Sequence, residues 1–327
     1  MLPLGNPILR AFAAAWAGAF LLAPASPLPA TELRVFVTNE KSNNVTVIDG
    51  AAHKVIATVQ MGERPRGIVA SADGKFVYVA NSNSNDISTI DSKTLAVLNR
   101  FPAGIDPEGI TVDRRGRLYA VNENDSALTI IDLGSRKLLK RLEVGTEPET
   151  AVLSPDERWV VVSNESSHEI HFIDTVKLEI AGKVAVPRNP RGMRFSADSR
   201  QLFVASEADN QLSLIDVESR QLLRSVPTGG ERSVDITLSK DGERLFISHG
   251  RSEDVRVFER ATLKFLTAIP VGPRAWWMAL SPDGRWLYVT VGRASQLVVI
   301  DTHTDQVVAR VQAGELPWGV ALVEVKN

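Results

Sequence analysis

Short apolar runs of six to eight residues alternate along most of the chain with clusters of Asn, Asp, Ser, Gly and Pro. The segment 66–103 is representative. Its runs at 66–71, 75–81 (KFVYVAN), 86–91 (DISTID) and 96–103 are rich in β-branched and aromatic residues and are separated by Ala72-Asp73-Gly74 and by an Asn/Ser tract. Alternation at period two predicts strands, and Asp-Gly or Asn/Ser clusters predict the tight turns between them. The same Asp-Gly signal stands at Asp241-Gly242 and Asp283-Gly284. No segment sustains a helical period, so the pattern predicts an all-β chain.

The pattern repeats. A hydrophobic run ending in Ile-Asp recurs at Ile48-Asp49, Ile90-Asp91, Ile131-Asp132, Ile173-Asp174, Ile215-Asp216 and Ile300-Asp301, with a decayed copy at Phe258-Glu259. Successive acidic residues are 42, 41, 42, 42, 43 and 42 positions apart, which makes seven units. Four short antiparallel strands at this period predict propeller blades; ankyrin, TPR and HEAT units are helical, and leucine-rich repeats are shorter. The expected fold is therefore a seven-bladed β-propeller of four-stranded antiparallel blades. The run 34–39 (RVFVTN) reads as the second strand of a blade that lacks its first, and 318–325 (WGVALVEV) reads as that missing strand. Blade 1 should combine one C-terminal strand with three N-terminal ones, which closes the ring and covers two sheet edges.

Residues 1–30 do not share the pattern. Arg10 precedes an apolar run, 11–25, and small residues lead to Leu28-Pro29-Ala30 before Thr31. This has the form of a secretory leader with a small-residue cleavage site, too short and too Pro-interrupted to span a bilayer well. The expected organisation is a leader over 1–30 and one propeller domain over 31–327, exported and periplasmic in a Gram-negative host. Loss of Arg10 with the leader takes the formal net charge from −2 to −3. That balance supplies no basic footprint for nucleic acid, so nucleic-acid binding is disfavoured. The absence of cysteine excludes disulfides, thiolate nucleophiles and Cys-based zinc sites.

The strand endings FVTN (36–39), YVAN (78–81) and YAVN (119–122) resemble the YVTN-repeat propeller family. The segments 37–50, 62–68 (GERPRGI), 163–175, 188–199 and 316–321 (LPWGVA) resemble, more narrowly, the PQQ-dependent catabolism-associated β-propeller proteins. That resemblance implies an exported, non-enzymatic protein associated with PQQ-dependent alcohol oxidation, with a PQQ-dependent dehydrogenase or another periplasmic protein as partner. Blade 6 departs from it, lacking both the Ile-Asp and the Pro-containing loop, which puts in doubt any role needing seven equivalent positions.

Candidate chemistry concentrates on the loop leading into the first strand of each blade, a Gly-x-x-Pro-x-Gly pattern at 62–67, 104–109 and 314–319 with looser copies at 145–150 and 187–192. Loops held by a rigid frame are the usual carriers of function. The position after Pro reads Trp318, Arg66, Glu108, Glu149, Arg191, Val234 and Trp276 for blades 1 to 7; two positions earlier stand Leu316, Arg64, Asp106, Glu147, Asn189, Arg232 and Arg274. A two-faced channel mouth is expected. Glu123 and Glu165 join its acidic arc, and His249, Arg251 and Arg293 its basic arc. Guanidinium forks and indoles suit a planar polyanion such as PQQ. The carboxylates Asp106, Glu108, Glu147 and Glu149 suit a hard cation such as calcium.

Enzyme signatures are mostly missing. There is no Gly-x-Ser-x-Gly and no His-Glu-x-x-His. His168 and His171, three apart on a strand, face opposite sides and do not form a joint metal site. By the same alternation only one of Trp276 and Trp277 can line the mouth. The leading expectation is a non-enzymatic binding propeller. One alternative is a metal-dependent, lactonase-like propeller hydrolase in which Glu108, Glu149, Asn122 and Asn164 hold the ion; another is a nucleic-acid-binding periplasmic propeller.

Overall fold

The computed structural model describes Met1 and residues 31–326, so the leader expected over 1–30 lies outside the described residues. Seven four-stranded antiparallel sheets succeed one another along the chain and form a propeller. Blade 2 shows the accuracy of the pattern. Its strands run Pro65–Ala70, Phe76–Asn81, Asp86–Asp91 and Val97–Pro102. Blade 1 closes as expected, with Pro317–Lys326 paired to Thr31–Asn39, followed by Asn44–Asp49 and Lys54–Gln60. The only helical turns among the described residues are two three-residue 3-10 turns, Glu123–Asp125 and Gly292–Ala294.

The Ile-Asp repeat has a simple physical basis. The isoleucine is buried, and the aspartate ends the third strand by accepting backbone N–H groups of the turn that follows. Asp49 Oδ1 accepts from Ala51 and Ala52, Asp91 from Lys93 and Thr94, and Asp174 from Val176 and Lys177. Blade 6 keeps the same register with different residues: Leu245 faces Phe258 and Arg244 faces Glu259, as Leu287 faces Ile300 and Trp286 faces Asp301 in blade 7. Its departure from the repeat is one of sequence and not of architecture.

The core lies between blades. Each of seven apolar clusters is shared by two neighbours; Trp159, Val161 and Phe172 of blade 4, for example, meet Met193, Leu202 and Val204 of blade 5. Both faces of the middle strands are therefore covered, which is why Trp159–Asn164 is buried throughout. Outer strands such as Lys137–Glu143 are largely exposed.

At the axis the innermost strands approach closely enough to require glycine. A Cβ on Gly109 would lie 2.6 Å from the Glu149 carbonyl oxygen, and one on Gly192 would lie 2.5 Å from that of Val234. The residue two positions before each of these strands' axial residues, Arg64, Asp106, Glu147, Asn189, Arg232, Arg274 or Leu316, takes a positive φ of 52–63°. All seven loops thus make the same left-handed turn, including that of blade 6, which has no proline, and that of blade 7, whose Pro273 stands before the turn residue. A bulge follows, as between Pro65 and Ile68, and it turns adjacent side chains toward the axis.

Candidate channel-mouth site

The asparagine that ends the second strand is structural. Asn81 Nδ2 donates to Ser88 Oγ at 2.8 Å, and its Oδ1 accepts the Gly62 N–H at 3.1 Å. Asn122 does the same work between Ala103 O (2.8 Å) and Thr129 Oγ1 (2.6 Å), and Asn164 donates to Val162 and Glu169 carbonyls. Both lie against the glycine of their loop, Gly104 and Gly145. Asn122 thus spends both amide atoms inside its blade, against the lactonase-like ligand role expected for it, whereas the Asn164 Oδ1 is buried without a hydrogen-bond partner. His249 holds the equivalent position in blade 6, fully buried against Gly230 and 3.2 Å from Asp254. It serves the interior of its blade and is absent from the mouth where the sequence placed it.

The remaining candidates do converge. Arg66 Nη1 donates to Glu108, while its Nε and Nη2 reach Glu40 Oε1 at 2.9 and 2.7 Å. Arg191 lies at the centre of three carboxylates: Glu149 at 2.5 Å, Glu165 at 2.8 Å, and Glu207, which accepts from its Nε. Arg274 reaches Glu40 at 3.2 Å, and Arg64 reaches Asp106 at 3.3 Å. Arg232, more exposed, pairs with Glu207 at 2.9 Å. The acidic and basic arcs of the expected two-faced mouth thus neutralise each other where they meet. The result is a belt of ion pairs rather than two opposed free surfaces. Arg251 pairs with Glu231 at 3.2 Å, both well exposed.

Indoles complete the belt. Arg191 and Arg274 lie 5.2 and 4.6 Å from the ring centroid of Trp276, and Arg66 lies 5.8 Å from that of Trp318. Trp277 also joins this group, 4.9 Å from Trp318. Simple alternation would have sent it away from the axis; the bulge between Ala275 and Met278 suspends that alternation.

Burial and unequal charge counts set the proton affinities. Glu108 is fully buried, and burial pushes its carboxyl well above the usual range against the opposing pull of Arg66; its Oε2 has no hydrogen-bond partner. Around Arg191 one guanidinium faces three carboxylates. Burial, then repulsion from Glu149, pushes Glu165 up to about 9 despite Arg191, so this carboxyl keeps its proton at neutral pH. Burial would raise Glu40 too, but Arg66 and Arg274 together outweigh it and its pKa falls.

Of the cation ligands expected from sequence, only Asp106 and Glu108 come together, and the third member of their cluster is Glu123; one carboxylate oxygen from each lies within 4.8 Å of the others. Glu147 is exposed and accepts from Ser166 Oγ, and Glu149 is committed to Arg191. Three carboxylates are a hard-cation donor set, but Arg64 and Arg66 already supply counter-charge to the same oxygens.

Sequence reasoning missed Glu40 and Glu207. Each follows the last residue of a second strand (Asn39, Ser206), the column that also holds Glu123 and Glu165. Reading that column across all blades would have found them.

Two family models match parts of the chain: a YNCE-like beta-propeller over residues 68–154 and a lactonase, 7-bladed beta-propeller, over residues 174–317. No curated protein matches the sequence. Among solved structures, a functionally unknown protein from Desulfotomaculum acetoxidans DSM 771 superposes with a TM-score of 0.79 at 16% identity, over 89% of this chain and 98% of that one. A putative 6-phosphogluconolactonase from Bacteroides fragilis NCTC 9343 gives 0.75 at 19%, over 90% and 98%. Kuenenia stuttgartiensis hydrazine synthase gives 0.72 at 19%, over 80% and 95%. At these identities the structural matches establish the propeller fold alone. The expectation that the chain is not an enzyme does not stand, because residues 174–317 match a lactonase family model.

Proposed function

We propose that this propeller hydrolyses a lactone at the arginine–carboxylate belt. The observation that carries the reading is the cluster around Arg191, in which one guanidinium meets the buried carboxylates of Glu149, Glu165 and Glu207, with Glu165 2.8 Å away and its pKa pushed up to about 9 by burial. Opening a cyclic ester needs a proton carried to the departing ring oxygen and cationic donors for the oxyanion of the tetrahedral intermediate. In the proposed reaction water adds to the ester carbonyl and gives up a proton to an ionised belt carboxylate. The ring C–O bond breaks, its oxygen takes the Glu165 proton, and the product is a hydroxy acid. Arg64 and Arg232, the more exposed guanidiniums of the belt, are suited to an anionic substituent on the ring. The lactonase family match and the putative 6-phosphogluconolactonase among the structural relatives support this reading.

The test is a lactone panel that includes gluconolactone, 6-phosphogluconolactone and a homoserine lactone, corrected for spontaneous opening. Turnover of at least one member is expected, with kcat/KM reduced about 10²-fold or more in Glu165→Gln and falling as pH rises through about 9. No turnover by the parent protein, or full turnover by the variant, overturns the proposal. Export belongs to the same reading, on the leader-like residues 1–30; N-terminal sequencing of protein from the periplasm should begin at Thr31. A partner in PQQ-linked alcohol oxidation is the finer part of the sequence resemblance, and pull-down from cells grown on alcohols addresses it.

A further inference from the structure

Directly beneath the belt, the axis of the propeller holds a cavity of about 810 Å³. That volume falls within the range of roughly 300–1,000 Å³ usual for small-molecule sites. Its lining mixes half-buried apolar residues such as Val69, Val152, Leu238 and Val320 with Thr111, Thr150 and Thr237, and Trp277 and Trp318 stand at the belt end. None of the belt arginines or glutamates lines it; its limit on that side is the next residue down each strand, such as Gly67, Gly109 and Thr150. The belt is a roof. The cavity opens on the opposite face, where exposed Ala197, Asp198, Lys240 and Asp241 rim it.

Three cations line the cavity, Lys240 and Arg260 toward the rim and Arg194 deeper in the wall. Arg194 donates from Nε to the Ile236 carbonyl at 3.2 Å and makes no other hydrogen bond and no ion pair among the described residues. Its terminal nitrogens are thus uncommitted donors in a half-buried site, where a guanidinium favours a carboxylate more than in open water. The carboxylate that shares the cavity, Asp235, accepts the Ile236 and Met278 N–H groups at 2.8 Å each; burial raises its pKa to about 6 against the opposing charge of Arg194, with which it makes no direct ion pair among the described residues. The rim carries charges of both signs. Asp198 and Asp241 turn back into their own turns, onto Ser196 and Ser239 hydroxyls at 2.6 and 2.5 Å. Lys240 forms no ion pair among the described residues, and Arg260 meets only the neutral Gln201.

We propose that this channel is a second binding site, independent of the belt chemistry, for an apolar or aromatic monocarboxylate. The ligand enters from the face opposite the belt, sets its carboxylate on Arg194 and its apolar body against Trp277 and Trp318. Arg194, set deep in the wall with its terminal nitrogens without an acceptor, favours this class over neutral apolar molecules, which would leave those donors unsatisfied.

The experiment is a tryptophan-fluorescence and calorimetric titration of the full chain with 1-naphthoate, its neutral analogue 1-naphthalenemethanol, and acetate. Saturable 1-naphthoate binding is expected, at least tenfold tighter than either comparator. Arg194→Met should abolish that preference, and Arg194→Lys should retain part of it and so guard against a folding defect. Glu165→Gln should leave 1-naphthoate binding unchanged, which separates this site from lactone turnover. Equal affinity for the acid and the alcohol, no saturation, or full binding by Arg194→Met overturns the proposal.

Discussion

At the scale of single residues, the belt is a problem of charge counting in a dry place. Isolated buried ions are costly, and paired ones are held only by good geometry. Around Arg191 the geometry is good but the count is uneven, and a proton makes up the difference. The titration belongs to the whole cluster, with Glu165 the member that burial and Glu149 push highest. The folded-state pKa of Glu165 lies above its unfolded value. Its protonated form therefore supports the fold fully below the ordinary glutamate range, near 4.5, and this support is lost as pH rises through about 9. Glu165→Gln removes that loss. The variant's Tm relative to the parent should be more favourable at pH 9 than at pH 4; a difference independent of pH would mean that Glu165 is ionised at neutral pH. The turn aspartates behave oppositely. Backbone hydrogen bonds hold Asp91 and Asp174 below their usual range, so what they contribute is present above that range and fades on acidification.

At the scale of the element, the innermost strand of each blade meets two demands. It must bring seven backbones close to one axis, and it must turn one side chain per blade toward that axis. Glycine meets the first at Gly109, where any Cβ would press on the Glu149 carbonyl and the Thr150 Cα at 2.6 and 2.7 Å. The left-handed turn and the bulge meet the second. Gly109→Ala should therefore destabilise the protein by about 1–3 kcal/mol through overpacking, measured by denaturant midpoint at unchanged m. Gly116→Ala, with open space around its Cβ but a φ of +77°, should cost only the smaller backbone strain. Equal losses at the two positions would show that the axial contact is soft.

At the scale of the whole molecule, stability is shared around a ring. Seven apolar clusters each span two neighbouring blades, and the one between blades 7 and 1 joins Tyr288, Leu297 and Val299 to Val35, Val37 and Ile48. Blade 1 itself is held by pairing from Thr31 with Lys326 to Asn39 with Pro317. Deletion of 317–327 should open this closure, expose the edge of Thr31–Asn39, and replace one cooperative thermal transition with a broadened one at lower temperature. The synthetic peptide 317–327 added in excess should restore part of the loss. Calorimetry that found the truncated chain as stable and cooperative as the parent would show that the other six blades hold the ring alone.

The sequence by itself determined the blade count, the strand order and the closure. These follow from period-two patterning, turn chemistry and a fixed repeat, all local and all carried by residues such as Ile90-Asp91 and Asp73-Gly74. It also identified most members of the belt, because loop position alone assigns Arg66, Glu108, Glu149 and Arg191 to the axis. Only the tertiary structure decided which charges meet. That depends on distances between loops some forty residues apart, on a bulge that brings Trp276 and Trp277 to one cluster, on hydrogen bonds that turn Asn122 and Asn164 into their blades, and on the packing of His249 against Gly230. The channel beneath the belt, with Arg194 in its wall, is equally invisible to pattern reading. It is a space between seven strands, and no single strand encodes it.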